Sequence, residues 1–199
     1  AAGKAGRRVA LIEKDRLGGT CPNRGCVPSK LLIGYAEAAR RVREADRHFI
    51  TARIDRIDVE RMFAETDAWV EGVDGRYEGR LPDGADLHRG AGRFVDDHVV
   101  EVNGERMTAP RIVIATGTRP RPVPFPDIPA WTSDDMVPFR KRVPRSITIV
   151  GGGFIACELG NFFEAVGVET RLVVRGDRLL PAEDRDISRI FTEQFSRNV

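Results

Sequence analysis

Gly18-Gly19-Thr20-Cys21-Pro22-Asn23-Arg24-Gly25-Cys26-Val27-Pro28-Ser29-Lys30 sets two cysteines five positions apart and brackets them with glycine and proline. A long helical pattern follows at once. From Cys21 to about Arg43, Leu31, Leu32, Tyr35, Ala36, Ala39 and Val42 recur on one side, with Thr20 as the candidate cap. A thiolate, not a thiol, is the reactive form, and a helix N-terminus stabilises it. That stabilisation, worth about 1 kcal/mol, lowers a thiol pKa by somewhat under one unit. A further cation or an electron acceptor is therefore expected nearby. On a regular helix, positions i and i+5 are separated by about 7.5 Å of rise alone. A disulfide needs Cα atoms within about 7 Å. If Cys21 and Cys26 bond to each other, the first turn is distorted, and Pro22 and Gly25 are residues that permit this. Two blander readings are a zinc half-site and a pair of inert thiols. Zinc takes four ligands, and the sequence holds no second pair at ligand spacing, so no metal site is expected. Cys157 reads as a small core residue.

Upstream, Arg8-Val9-Ala10-Leu11-Ile12-Glu13 is a short apolar run ending in an acid, the pattern of a buried parallel strand. Ala1–Gly6 reads as the tail of a helix closing on glycine. A strand ending in Glu after a helix fits the second half of a dinucleotide-binding βαβ unit, where Glu13 accepts hydrogen bonds from ribose hydroxyls. An ordinary solvated strand-end acid is the competing reading. A second amphipathic helix follows Asp58 (Val59, Met62, Phe63, Trp69, Val70), and residues 72–84 read as turn. Strand-like patterns cover 86–95, and Asn103-Gly104 marks a hairpin because both residues tolerate positive φ. Arg111–Ala115 reads as an apolar strand running into Thr116-Gly117-Thr118.

Residues 119–130 hold five prolines and form the domain boundary, since proline continues neither a helix nor a central strand. Beyond them, the strand Ser146–Val150 runs directly into Gly151-Gly152-Gly153-Phe154-Ile155-Ala156 and a helix. Strand, Gly-x-Gly-x-x-Ala and helix in this order are what a pyrophosphate needs: a tight turn, close backbone approach and a helix N-terminus. The second strand, Thr170–Arg175, ends where an acid would read the NAD ribose. Arg175 stands there instead, with Arg178 three residues on. A guanidinium binds a phosphate dianion bidentately, which points to NADPH over NADH. A solvated surface charge is the competing reading of Arg175. A final amphipathic helix carries Ile187, Ile190, Phe191 and Phe195.

Composition excludes several classes. A net charge of +2 against 30 acidic groups argues for neither nucleic acid nor an anionic membrane. No apolar run approaches the roughly 18 residues of a membrane span. Three cysteines in 199 residues do not make a secreted disulfide scaffold, so a redox use in the cytoplasm is expected. The patterns at both ends look unfinished, as in an internal fragment of a longer protein.

Gly18–Lys30, Ala115-Thr116-Gly117 and Gly151–Glu158, in this order and spacing, resemble the class I flavin-dependent pyridine nucleotide–disulfide oxidoreductases. The resemblance covers the whole chain. It implies an α/β fold of two Rossmann-like dinucleotide-binding domains, both truncated. Residues 1–119 would bind FAD, lacking the first strand and its Gly-rich loop, and residues 120–199 would bind NAD(P). By resemblance, Cys26 faces the flavin as charge-transfer thiol and Cys21 is the interchange thiol. Lys30 supplies the positive charge near the flavin, and Glu158 pairs with it. Glu13, Gly19, Thr20, Lys30, Gly92, Thr116 and Gly117 would contact FAD; Gly151, Gly153, Ile155, Arg175 and Arg178 would contact NADPH.

The implied reaction passes electrons from NADPH through FAD and the Cys21–Cys26 disulfide to a small disulfide substrate, in a homodimer. Val173-Val174-Arg175-Gly176, Thr132-Ser133-Asp134 and Tyr35-Ala36-Glu37 look most like mycothione reductases. NAD-linked dihydrolipoamide dehydrogenase and mercuric reductase are the alternatives, and a nucleotide-binding interaction module is the non-enzyme one. The family's first FAD glycine loop, its later FAD-contacting Asp segment and its His–Glu base pair have no counterpart here. His48, His88 and His98 match no motif, so no base is assigned, and the fragment alone is expected to be inactive.

Overall fold

The computed structural model describes residues 5–123, 125 and 127–199. The expected helix tail at Ala1–Gly6 thus falls mostly outside the described residues, as do Pro124 and Pro126 of the proline run. Strand β1 (Val9–Glu13) pairs in parallel with β2 (Ala85–Arg89), Glu13 lying opposite Arg89. The crossover between them carries four helices: α1 (Thr20–Arg24), α2 (Cys26–Arg43), α3 (Val59–Glu71) and α4 (Val73–Glu78). A small antiparallel sheet follows, β3 (Arg93–Asp96), β4 (Val99–Val102) and β5 (Glu105–Thr108), with Asn103-Gly104 as the β4–β5 turn. The second parallel unit runs β6 (Ser146–Val150), α5 (Phe154–Ala165), β7 (Glu169–Val173), and α6 (Arg185–Phe195) follows. This is the expected α/β class, with parallel strands joined through helices.

One apolar cluster draws on both sides of the proline run. Leu32 and Ala36 of α2, Val59, Phe63 and Val70 of α3, and Phe162, Phe163 and Ala165 of α5 pack together with Met136 and Val137. Phe63 stacks on Phe139 with ring centroids 3.9 Å apart and meets Phe162 edge-on at 5.4 Å. Phe162 and Phe163 are almost fully buried, and burying such a side chain stabilises by roughly 1.5–3 kcal/mol. Helix α2 is thereby held along α5. Gly160 lets α5 lie close to its sheet: a Cβ there would stand 2.9 Å from Leu172 Cδ1.

Several expectations need correction. The helix expected from Cys21 is two helices, broken at Gly25. Thr20 does not cap it: Gly19 is the cap residue and no side chain bonds there. Residues 73–78 of the expected turn are α4, whose glycines hid a helix that tertiary contacts stabilise; Val73 is fully buried. Arg111–Ala115 forms no strand. Among the described residues it pairs with no neighbour, and Val113 and Ile114 are exposed. A strand's stability comes from its cross-strand partners, so an apolar run without them stays irregular.

Phe162→Ala is expected to cost about 3–5 kcal/mol in urea unfolding. Phe94→Ala, at a half-exposed position, is expected to stay under about 1 kcal/mol in the same experiment.

Candidate functional site

The two cysteines sit at an elbow. Helix α1 stops at Arg24, Gly25 turns the chain at φ −127° and ψ −116°, and α2 restarts at Cys26. A Cβ at position 25 would lie 3.1 Å from the Thr20 carbonyl oxygen and 3.5 Å from Cys21 Cα. A side chain at position 25 would crowd the Thr20 carbonyl, so glycine suits the close approach of the start of α2 to the Thr20–Cys21 backbone. The distortion that a Cys21–Cys26 disulfide demands is thus built into the backbone, while both cysteines stand here as exposed free thiols.

The approach to the elbow is held by bonds that sequence patterns do not announce. Asn23 is buried, and its Nδ2 donates to the carbonyls of Leu17 and Gly19, both at 2.9 Å. The Leu17 N–H donates to Asp74 Oδ1 at 2.7 Å. Arg89, at the end of β2, donates to Asp74 and Glu78 of α4 and to the Asp15 carbonyl. The Arg89 guanidinium and the Leu17 amide hold the Asp74 carboxyl below the usual carboxylate range. Helix α4, missed in the sequence, thus anchors the segment that enters the cysteine elbow.

The two thiols are not equivalent. Cys26 is the first residue of the 18-residue α2, where amides without helical acceptors favour negative charge. Cys21 shares a hydrogen bond with Cys26, and this raises its pKa above the ordinary thiol value. Burial and the Cys26 charge add to the rise; Lys30 opposes it. Lys30, one turn into α2, reaches across to α5, with Nζ 2.5 Å from Glu158 Oε1 and 3.3 Å from Ser29 Oγ. Further along the same helix pair, Arg40 donates to Asn161 Oδ1 and to Glu164 Oε2, each at 2.7 Å. Cys157, beside Glu158, is buried, and burial pushes its thiol up to about 11. It is a core thiol, as its place in the motif implied.

The second candidate feature is the turn between β6 and α5. Gly151 takes φ +133° and donates its N–H to the Val173 carbonyl at 2.9 Å. A Cβ at Gly151 or Gly153 would meet nothing within 4 Å, so open space lies in front of α5. The first bond of the helix, from Cys157 N–H to the Gly153 carbonyl, leaves the preceding amides without intrahelical partners. An open glycine turn with free amides fits a dinucleotide pyrophosphate.

All 199 residues match the protein family described as pyridine nucleotide-disulphide oxidoreductase. The chain belongs to this family. It is 33% identical over 197 residues to a dihydrolipoyl dehydrogenase of Chlamydia pneumoniae, covering 96% of this chain and 42% of that protein. It is 34% identical over 194 residues to a mercuric reductase of Bacillus cereus, covering 95% and 31%. Among solved structures it superposes with a TM-score of 0.76 on the Cu(II) complex of the HOCl-induced flavoprotein disulfide reductase RclA of Escherichia coli. There the identity is 27%, over 98% of this chain and 43% of that one. The chain spans less than half the length of these relatives.

Membership in the pyridine nucleotide-disulphide oxidoreductases implies binding of FAD and a pyridine nucleotide. The remaining candidate residues are placed as follows. Glu13 ends β1 half-buried, its Oε1 accepting the Asp15 N–H at 2.8 Å. Gly19 and Thr20 open α1 beside Cys21. Gly92 packs on β1, where a Cβ would meet Ile12 Cγ2 at 3.2 Å. Thr116 and Gly117 lie exposed in the irregular segment after β5. Ile155 is exposed on the first turn of α5. Strand β7 stops at Val173, so Arg175 and Arg178 stand in the following loop rather than at a strand end.

The inequality of the thiols is open to measurement in the reduced protein. Iodoacetamide alkylation of Cys21 is expected to need higher pH than an ordinary thiol. Lys30→Gln should slow it further at a given pH, because a charge favouring the thiolate is lost. Cys26→Ser should speed it, because the largest cause of the raised pKa is removed.

Proposed function

We propose that the full-length protein is an NADPH-dependent, FAD-containing disulfide reductase of the cytoplasm, working as a homodimer on a small disulfide of the mycothione type. The observation that carries this reading is the cysteine elbow: two thiols on a glycine-broken helix start, with Lys30 and Glu158 brought to the same helix from across the fold. Residues 1–119 form the FAD-binding part and residues 120–199 the nucleotide-binding part. Glu13, Gly19, Thr20, Lys30, Gly92, Thr116 and Gly117 hold FAD. Gly151, Gly153 and Ile155 hold the nucleotide pyrophosphate, while Arg175 and Arg178 meet the 2′-phosphate. FAD, when bound, supplies the two-electron relay between nicotinamide and disulfide.

The residues of this chain account for the exchange. Two electrons and two protons convert the Cys21–Cys26 disulfide into two thiols. The Cys21 sulfur attacks the substrate disulfide, forming a mixed disulfide and releasing one thiol. The Cys26 sulfur then attacks Cys21, releases the second thiol and restores the internal disulfide. Lys30, paired with Glu158, favours negative charge at the sulfurs. The raised Cys21 pKa keeps the proton on that sulfur, so the exchange step is expected to accelerate as pH rises.

The relatives named dihydrolipoyl dehydrogenase and mercuric reductase support second readings with NADH-linked lipoamide or mercuric ion as reactant. Turnover of the full-length enzyme with NADPH and NADH against mycothione disulfide, lipoamide and Hg(II) separates the three. The proposal expects NADPH with the low-molecular-weight disulfide to be preferred, and Cys21→Ser and Cys26→Ser each to abolish turnover. Strong NADH preference, or disulfide turnover surviving in both cysteine variants, would defeat it.

A further inference from the structure

The loop between β7 and α6 carries Arg175 and Arg178, and it is tied down just beyond them. Leu179 is buried. Its N–H donates to Thr192 Oγ1 at 2.8 Å, and its carbonyl accepts from Ser188 Oγ at 2.5 Å. Both hydroxyls belong to α6, one turn apart, and Thr192 Oγ1 donates in turn to the Ser188 carbonyl at 2.7 Å. Ser188 is fully buried, so its bond is made away from water.

The next residue, Leu180, sits in the left-handed region at φ +51°, and its N–H donates to the Gly152 carbonyl at 2.6 Å. Side chains repeat the connection. A Cβ at Gly152 would lie 2.9 Å from Val174 Cγ1 and 3.5 Å from Leu179 Cδ2. The central glycine of the turn is therefore where the arginine loop packs onto the pyrophosphate turn. A residue whose backbone donor and acceptor are both satisfied by one helix is fixed to that helix, and Leu179 is such a residue. Without those hydroxyls, buried backbone groups would be left unpaired.

We propose that Ser188 and Thr192 are positioning residues for dinucleotide selection. They clamp Leu179–Leu180 so that the Arg175–Arg178 segment stays against the Gly151–Gly153 turn, within reach of an adenosine 2′-phosphate. This rests on the assignment of Arg175 and Arg178 to that phosphate. A bidentate guanidinium–phosphate contact depends on orientation, and a loosened loop spends binding energy on ordering. The 5′-phosphates, held by the glycine turn and the α5 amides, do not depend on the clamp in this way.

The test is calorimetric titration of the full-length enzyme with 2′,5′-ADP and with 5′-ADP. Thr192→Val and Ser188→Ala should weaken 2′,5′-ADP about tenfold, the scale of one lost buried hydrogen bond. Binding of 5′-ADP should stay within about twofold, because the pyrophosphate turn is untouched. Thr192→Ser, which keeps the hydroxyl, should restore 2′,5′-ADP binding. Thr192→Val is nearly isosteric and carries the test if Ser188→Ala does not fold. Equal weakening of both ligands, or none in Thr192→Val, overturns the proposal. Arg175→Met and Arg178→Met separate the underlying assignment: if neither weakens 2′,5′-ADP, the phosphate reading itself fails, whatever the clamp variants do.

Discussion

The packing of α2 along α5 is the constraint on which the site depends. It places a lysine from the cysteine helix α2 against a glutamate from α5, although the two are 128 positions apart in sequence. Magnitudes say which interaction causes which. The Lys30–Glu158 pair is partly exposed, at 58% and 26% of its side-chain surfaces, and such pairs contribute only about 0–1 kcal/mol. Leu32, Phe162 and Phe163 are all but excluded from water and each contribute roughly 1.5–3 kcal/mol. The apolar cluster holds the helices together, and the ion pair is placed by it. Lys30 is thus not a structural strut, and its charge opposes the rise in the Cys21 pKa.

A second constraint is local. The break at Gly25 puts Cys26, and not Cys21, at the head of the long helix, with Cys21 hydrogen-bonded to it. The same design recurs at the turn before α5, where Gly152 lets the loop after β7 lie directly on the Gly151–Gly153 turn. In both places a glycine is needed for what packs against it. Around each glycine, hydrogen bonds from distant elements do the fixing: Asp74 and Arg89 for the cysteine approach, Ser188 and Thr192 for the arginine loop.

Features governed by local rules were legible in the sequence. The cysteine spacing, the strand–glycine–helix order after residue 145 and the Asn103-Gly104 hairpin carry their geometry in adjacent residues. Helix rise against disulfide reach pointed to a distortion between the cysteines, and the chain breaks there at Gly25, while Pro22 stays within α1. Features decided by tertiary contact were not legible. Helix α4 looks like turn because Gly72, Gly75 and Gly79 depress its propensity, while its stability comes from Val73 and from Arg89 across the fold. Arg111–Ala115 has a strand's composition but, among the described residues, no partner strand. Asp74, Arg89, Ser188 and Thr192 belong to no motif, Asn23 lies inside one without an assigned role, and only the folded chain shows what they bond.

The central claim is that Cys21 and Cys26 form one redox couple, separate from the buried Cys157. It is tested most directly by anaerobic trapping in the full-length, FAD-loaded protein. Samples taken before and after addition of NADPH are quenched with N-ethylmaleimide and mapped by mass spectrometry. The account predicts Cys21 and Cys26 unlabelled before reduction and both labelled after it, with Cys157 unlabelled throughout. Cys21 and Cys26 labelled equally with and without NADPH would contradict it.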